Sequence, residues 1–359
     1  MNIKKDTNIL FLKVWRNIVI REIILYHLRL FKSNFIFKIN NVKGFNNKKN
    51  KYYVQKIEIN FNVELKEDIF SKYLNLTSLK FSNKFNKSID NLTLTNNIKY
   101  LEFGNLFNQS LKPLDQLFQP NNSLESIKFG NNFNQKLIFN NNIENQSILF
   151  THLKTLKFGI YFNKPLFNIP NSITHLEFGR EFNQDFSFSS NNGDGGDSGD
   201  GGEQPNLKCL KFVGRYNKIL KVGQLPSSLK ILYLSDQFNL KLFKGMLPEG
   251  LEELYFQSSY NQELKPNESI PSTVKLIKLS YSFNQELSVG VFPPNIETII
   301  FGELFSKPIK IGIIPESVKY LKLPKFYKTY LTYLPQPPAI SELYSIPPNS
   351  YKNLSFYEN

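Results

Sequence analysis

One spacing governs the chain. A short apolar–x–apolar segment, typified by Leu101-Glu102-Phe103, recurs eleven times along the 359 residues. With the second apolar residue as position zero, the register falls at Phe81, Phe103, Phe129, Phe158, Phe178, Phe212, Leu234, Phe256, Leu279, Phe301 and Leu323. Five of the ten intervals are 22 residues, and the others are 20, 23, 26, 29 and 34. Other columns keep the same register. Position −2 is always Leu or Ile, −5 is Leu, Ile or Val, and +8 is apolar throughout. Position +4 is Phe or Tyr in every unit, and +5 is Asn in nine, with Ser306 and Lys328 as the exceptions. This +4 column explains why the chain has 33 Phe but one Trp.

Side chains alternate along a strand, so residues at −2 and 0 share one face. A 22-residue unit cannot bury that stripe alone, but units stacked side by side as a parallel ladder can. The expected fold is therefore a mainly β repeat solenoid. Strands about 4.8 Å apart would make eleven to thirteen coils roughly 50–60 Å long. The +4 rings would form a stacked spine worth about 0.5–1.5 kcal/mol per pair. Asn at +5 suits the turn that follows, and its amide can satisfy backbone groups of a neighbouring coil. Pro at −8 (Pro170, Pro226, Pro248, Pro271, Pro293, Pro315) fixes φ ahead of the strand, where no ladder hydrogen bond is needed.

The unit P-x-S-[LIV]-x-x-L-x-F-G-x-x-F-N-Q-x-L, as it stands from Pro170 to Phe186, resembles the FNIP repeat, a relative of the leucine-rich repeat. The tetrapeptide Phe167-Asn168-Ile169-Pro170 is present literally. The resemblance covers roughly Val54 to Leu331 and implies a curved array whose role is binding by analogy of fold.

Three segments are expected: a helical N-terminal head over 1–50, the array over 51–335, and a Pro-rich cap over 336–359. The head carries Phe11, Val14, Trp15, Ile18, Ile23, Leu25, Leu28 and Leu30 among basic residues, with no Pro or Gly before Gly44. Its segment Val14-Trp15-Arg16-Asn17 resembles the head that often precedes such arrays. It either caps the first coil or serves as an adaptor helix comparable to an F-box, which would make the array a substrate receptor for ubiquitin ligation; no Leu-Pro start of that motif is present. An atypical first coil is centred on Ile59, where Val63 and Glu64 stand in place of the aromatic-Asn pair. The 34-residue interval holds a Gly/Asp-rich run at 191–202, whose twelve residues account for the whole excess over 22. It is expected to loop out without disturbing the register. It lacks the terminal Glu of a calcium loop and the Lys-Ser/Thr of a phosphate loop.

No catalytic motif is visible, so no enzyme is expected and no cofactor is implied. Cys209 is the single cysteine, and with His27, His152 and His175 in separate segments there is no Cys/His zinc pattern. The lone cysteine favours a reducing, cytoplasmic setting. No apolar run approaches a signal core or a membrane span.

The outward strand positions remain as the expected contact surface, on the concave side of the array. The −1 column carries Lys128, Lys157, Lys211, Tyr233, Tyr255 and Lys278, and −3 adds Leu276 beside Ile231, His175 and Cys209. With a net charge of +14, the Lys line would steer an acidic peptide or protein face. The alternative is a solvated face whose Lys and Glu pair across strands. Nucleic acid is a competing partner class, although Lys dominates and no recognition motif appears. The cluster of Tyr233, Tyr255, Ile231 and Leu276 favours a protein.

Overall fold

The structure, a computed structural model, describes residues 13, 15–111, 122–139, 150–188, 205–325 and 327. The 191–202 run and the expected 336–359 cap lie outside the described residues. The chain divides into two compact units, residues 1–214 and 215–359. Both are built as the repeat dictates, into a mainly β stack of parallel strands.

In the first unit the strands are β1 (Ile36–Ile39), β2 (Lys56–Ile59), β3 (Ser78–Phe81), β4 (Tyr100–Glu102), β5 (Ser126–Lys128), β6 (Thr155–Lys157), β8 (His175–Phe178) and β10 (Cys209–Phe212), in that spatial order. Behind them, β7 (Leu166–Ile169) and β9 (Phe186–Phe188) pair in a small second sheet. The second unit carries β11 (Ile231–Tyr233), β12 (Glu253–Tyr255), β13 (Leu276–Lys278), β14 (Thr298–Ile300) and β15 (Tyr320–Lys322), again paired in order. The register is that of the repeat: Leu79, Leu101, Ile127, Leu156, Leu176 and Leu210 stand opposite one another, as do Leu232, Leu254, Ile277, Ile299 and Leu321.

The rings stack as two columns. Along the zero column, Phe81, Phe103, Phe129, Phe158 and Phe178 follow at 5.4, 5.2, 5.4 and 5.8 Å, with planes within 9° of parallel. Along +4, Phe85, Phe107, Phe133, Phe162 and Phe182 follow at 6.3, 6.1, 6.1 and 5.9 Å. The second unit continues the pattern with Phe238, Tyr260, Phe283, Phe305 and Tyr327. All these rings except Tyr327 are buried.

Polar ladders close the turns. The Asn86, Asn108, Asn134 and Asn163 side-chain oxygens accept from the backbone N–H of Asn108, Asn134, Asn163 and Asn183 one coil on, at 2.9–3.0 Å. Gln109 and Gln135 donate to the same oxygens as their Asn neighbours. Asn217, Asn239, Asn261 and Asn284 repeat this in the second unit. Each Asn thus satisfies a turn amide of the next coil. The −8 prolines open a turn whose carbonyl accepts from the −5 N–H, as from Pro226 to Leu229 and Pro271 to Val274. The coils also approach closely at +1: a Cβ on Gly130 would stand 2.1 Å from the Gly104 carbonyl oxygen, and one on Gly159 would stand 2.2 Å from that of Gly130. Only hydrogen fits there.

The N-terminal head differs from expectation. Helix α1 (Ile18–Asn34) begins at Asn17, whose side chain caps the Ile20 amide at 3.2 Å, and a short α2 (Val42–Asn47) follows. These are the helices expected of the head; between them lies β1, so the ladder starts inside the 1–50 segment. Phe37 and Asn34 occupy the −2 and −5 places of that coil, and its zero residue, Ile39, is 20 residues before Ile59; the repeat pattern is therefore blurred there. In the next coil the expected aromatic-Asn substitution is also corrected. Asn62, directly after Phe61 and two residues early, accepts the Asn86 amide at 2.8 Å. Phe45 of α2 is buried against Phe70 and Tyr73, which closes this end of the core.

Candidate interaction face

The outward face of each sheet is built by the −1 and −3 rows, and the two units present different chemistry there. In the first unit the −1 row runs Lys38, Glu58, Lys80, Glu102, Lys128, Lys157, Glu177, Lys211. Glu58 pairs with Lys38 at 3.5 Å, Glu102 with both Lys80 and Lys128 at 3.2 Å, and Glu177 with Lys157 at 2.9 Å and Lys211 at 4.0 Å. Burial pushes the Glu102 carboxyl up, but Lys128 and Lys80 on the flanking strands overcome this and hold it below its ordinary range. The sequence-derived lysines Lys128, Lys157 and Lys211 are thus engaged across strands rather than offered as a free basic line. The more exposed pairs of Glu102 with Lys80 and Lys128 are worth about 0–1 kcal/mol each, while Lys211 is buried beside Glu177; together the pairs cancel much of the field that would steer an anion.

A second charge row follows at −4, beside the sheet. Lys99 meets Glu125 at 2.8 Å, Glu252 meets Lys230 at 3.0 Å and Lys275 at 3.7 Å, and Lys319 meets Glu297 at 3.0 Å. Column-by-column reading of the sequence missed this alternation, although the order Lys230, Glu252, Lys275, Glu297, Lys319 is visible at −4.

Register also joins two residues that the sequence kept apart. Cys209 on β10 stands directly beside His175 on β8, its neighbour in the −3 column. The His175 ring meets the Thr174 hydroxyl at 2.9 Å, and burial lowers its proton affinity. Among the described residues no group of three or more His, Cys, Asp or Glu could hold a metal ion.

The second unit gathers aromatic and aliphatic residues on this face. Tyr233 and Tyr255 stack with centroids 4.3 Å apart and planes 9° from parallel. The Tyr255 hydroxyl donates to Glu253 Oε2 at 2.7 Å, and burial together with that carboxylate pushes the phenol well above its usual proton affinity. Ile231, Glu253, Leu276 and Thr298 follow one another along −3, and Tyr233, Tyr255, Lys278 and Ile300 along −1. All seven sequence-derived face residues therefore divide between the units: Tyr233, Tyr255, Leu276 and Lys278 lie together on this one, and Lys128, Lys157 and Lys211 lie on the other.

The helix α1 is a separate exposed surface. Val19, Ile23 and Tyr26, at i, i+4 and i+7, are 67, 52 and 57% exposed, whereas Phe31 packs its ring edge-on against Tyr53 at 4.9 Å. No helix among the described residues is long and apolar enough to cross a membrane.

A family model described as FNIP Repeat matches residues 85–114, 162–190 and a run of overlapping units from 205 to 326, together half of the chain. Two FNIP repeat-containing proteins of Dictyostelium discoideum are similar. One is 33% identical over 181 residues, covering 45% of this chain and 32% of its own. The other is 36% identical over 110 residues, covering 30% and 24%. The chain thus spans about a third or less of the length of these relatives. Among solved structures, it is similar to CroV588, a circular leucine-rich-repeat protein, at 27% identity over 79% of this chain and 47% of that one, with a TM-score of 0.49.

Proposed function

This chain belongs to the FNIP repeat family, and from that premise we infer a non-enzymatic protein-interaction scaffold that binds its partner on the outward sheet face of β11–β14. One observation carries the reading. The same rows that are filled by cross-strand ion pairs in the first unit hold Ile231, Tyr233, Tyr255, Leu276 and Ile300 in the second. A solenoid gains nothing in its own core from these residues, because they alternate away from −2 and 0. Aromatic anchors of this type dominate interface energy. The single cysteine agrees with a cytoplasmic setting.

The test is capture of a partner alongside melting. Replacing Tyr233 and Tyr255 with Ala should abolish capture while the chain stays folded, at a stability cost of about 0.5–1.5 kcal/mol for the lost ring stack. Replacing Lys128, Lys157 and Lys211 with Ser should change capture little, since each is neutralised by a Glu on its own sheet. Loss of capture only in the Lys variant, with affinity falling linearly on a log–log salt plot, would instead point to nucleic acid.

The exposed stripe Val19, Ile23 and Tyr26 favours a second reading, in which α1 docks an adaptor, as in an F-box-like substrate receptor for ubiquitin ligation, while the array holds the substrate. Removing residues 1–34 would separate the two, because the first reading keeps partner capture and the second loses one of two captured proteins.

A further inference from the structure

We propose that the segment recognised on β11–β14 carries an Asp or Glu within three positions of an aromatic or large aliphatic residue, the acid being taken by Lys278 and the apolar side chain by the Tyr233–Tyr255 stack; this rests on the protein-binding reading above. Lys278 differs from the −1 lysines of the first unit in what surrounds it. Every lysine in the −1 row of β1–β10 has a glutamate on a neighbouring strand, and Lys230, Lys275 and Lys319 at −4 have theirs. Lys278 has Tyr255 on one side, Ile300 on the other and Leu276 two residues before it. Among the described residues its ammonium makes no ion pair. The one carboxylate of this face, Glu253, is held by the Tyr255 hydroxyl.

A partner that covers the apolar residues must also cover this ammonium. An all-apolar partner would bury an uncompensated charge, which is strongly unfavourable, and a basic partner would add repulsion to desolvation. A carboxylate satisfies the group and sets the register of the segment, as charge complementarity does at interfaces. Distance fixes the spacing. Adjacent strands lie about 4.8 Å apart and an extended chain advances about 3.3 Å per residue. A residue on the Tyr stack is therefore separated from one on Lys278 by about one to three positions.

The probe is a display library of random 12-residue peptides selected on the full chain. Enriched peptides should share an aromatic or large aliphatic residue with Asp or Glu close by, and they should bind the Lys278→Glu variant about tenfold or more weakly. Reselection on Lys278→Glu should replace the acid with Lys or Arg, which a merely misfolded variant would not do. Lys128→Glu, on the other unit, should leave the original peptides bound. Peptides that lose binding on Tyr233→Ala/Tyr255→Ala but show no charge preference at Lys278 would overturn this inference and leave the protein-binding face standing. Peptides insensitive to the Tyr pair and to Lys278 alike, or no enrichment, would overturn both.

Discussion

Removing the ring of Phe133 should destabilise the first unit by about 4 kcal/mol, within the range of about 3–5 kcal/mol for emptying a buried Phe site. The site admits no relief. Phe133 is fully buried; its ring lies 4.0 Å from Phe129 within the coil and 6.1 Å from both Phe107 and Phe162 in the coils on either side. Alanine there forfeits stacking on three rings at once, and the adjacent coils cannot collapse into the gap because their own rings are fixed by the next ones along. In urea, with a slope of about 2 kcal/mol/M, that loss lowers the midpoint by about 2 M. Circular dichroism at the β-sheet minimum reports it. Leu106→Ala is the control: it stands one residue before the spine and is 48% exposed, so its cost should stay within about 0.5 kcal/mol. A Phe133→Ala cost under about 1 kcal/mol would refute the ring column as core and, with it, the coil geometry.

Other outcomes follow from the same geometry. Gly130→Ala should cost about 1–3 kcal/mol or more despite adding one methyl, because its Cβ would meet the Gly104 carbonyl at 2.1 Å and backbone cannot step aside; chemical denaturation measures it. Asn108→Ala removes the acceptor of the Asn134 amide and the Gln135 side chain, for about 1–3 kcal/mol. Deleting residues 191–202 restores a 22-residue interval and should leave the urea midpoint unchanged. The first unit should weaken in acid: Glu102 sits below its ordinary proton affinity when folded, so its contribution is present above the unfolded carboxyl range and is lost as pH falls through the folded value. In Glu102→Gln, that part of the pH dependence should disappear from melts taken between neutral pH and about pH 3.

The register of the array was legible because it rests on several columns that bury or stack together, and the partners Leu79–Leu101 or Ile277–Ile299 follow from it directly. The places it missed are those where the columns weaken. Strand β1 lacks the apolar −5 residue, having Asn34 there, and Asn62 performs its turn role two residues early. The candidate face was half legible. Periodicity says which side chains point outward, so Tyr233 and Tyr255 could be placed on one face, and their neighbourhood follows from the count of residues between them. What each outward charge meets depends on the adjacent coil rather than on its own column. The −1 column already holds Glu102 and Glu177 among its lysines, and the register decides which lysine each of them meets. Cys209 and His175 share the −3 column of consecutive units, so their adjacency follows from the register across the 34-residue interval. The exposed stripe of α1 could not be foreseen from composition, since apolar residues in a head segment are as readily core as surface.

The most direct measurement replaces single positions with a photo-crosslinking phenylalanine and asks which of them reaches the partner. Tyr255, on the outward row of β12, should crosslink to the captured protein on irradiation, and Val222, in a turn outside the sheet and 70% exposed, should not. Crosslinking from Val222 alone, or equally from both positions, would contradict the claim that the face of β11–β14 holds the partner.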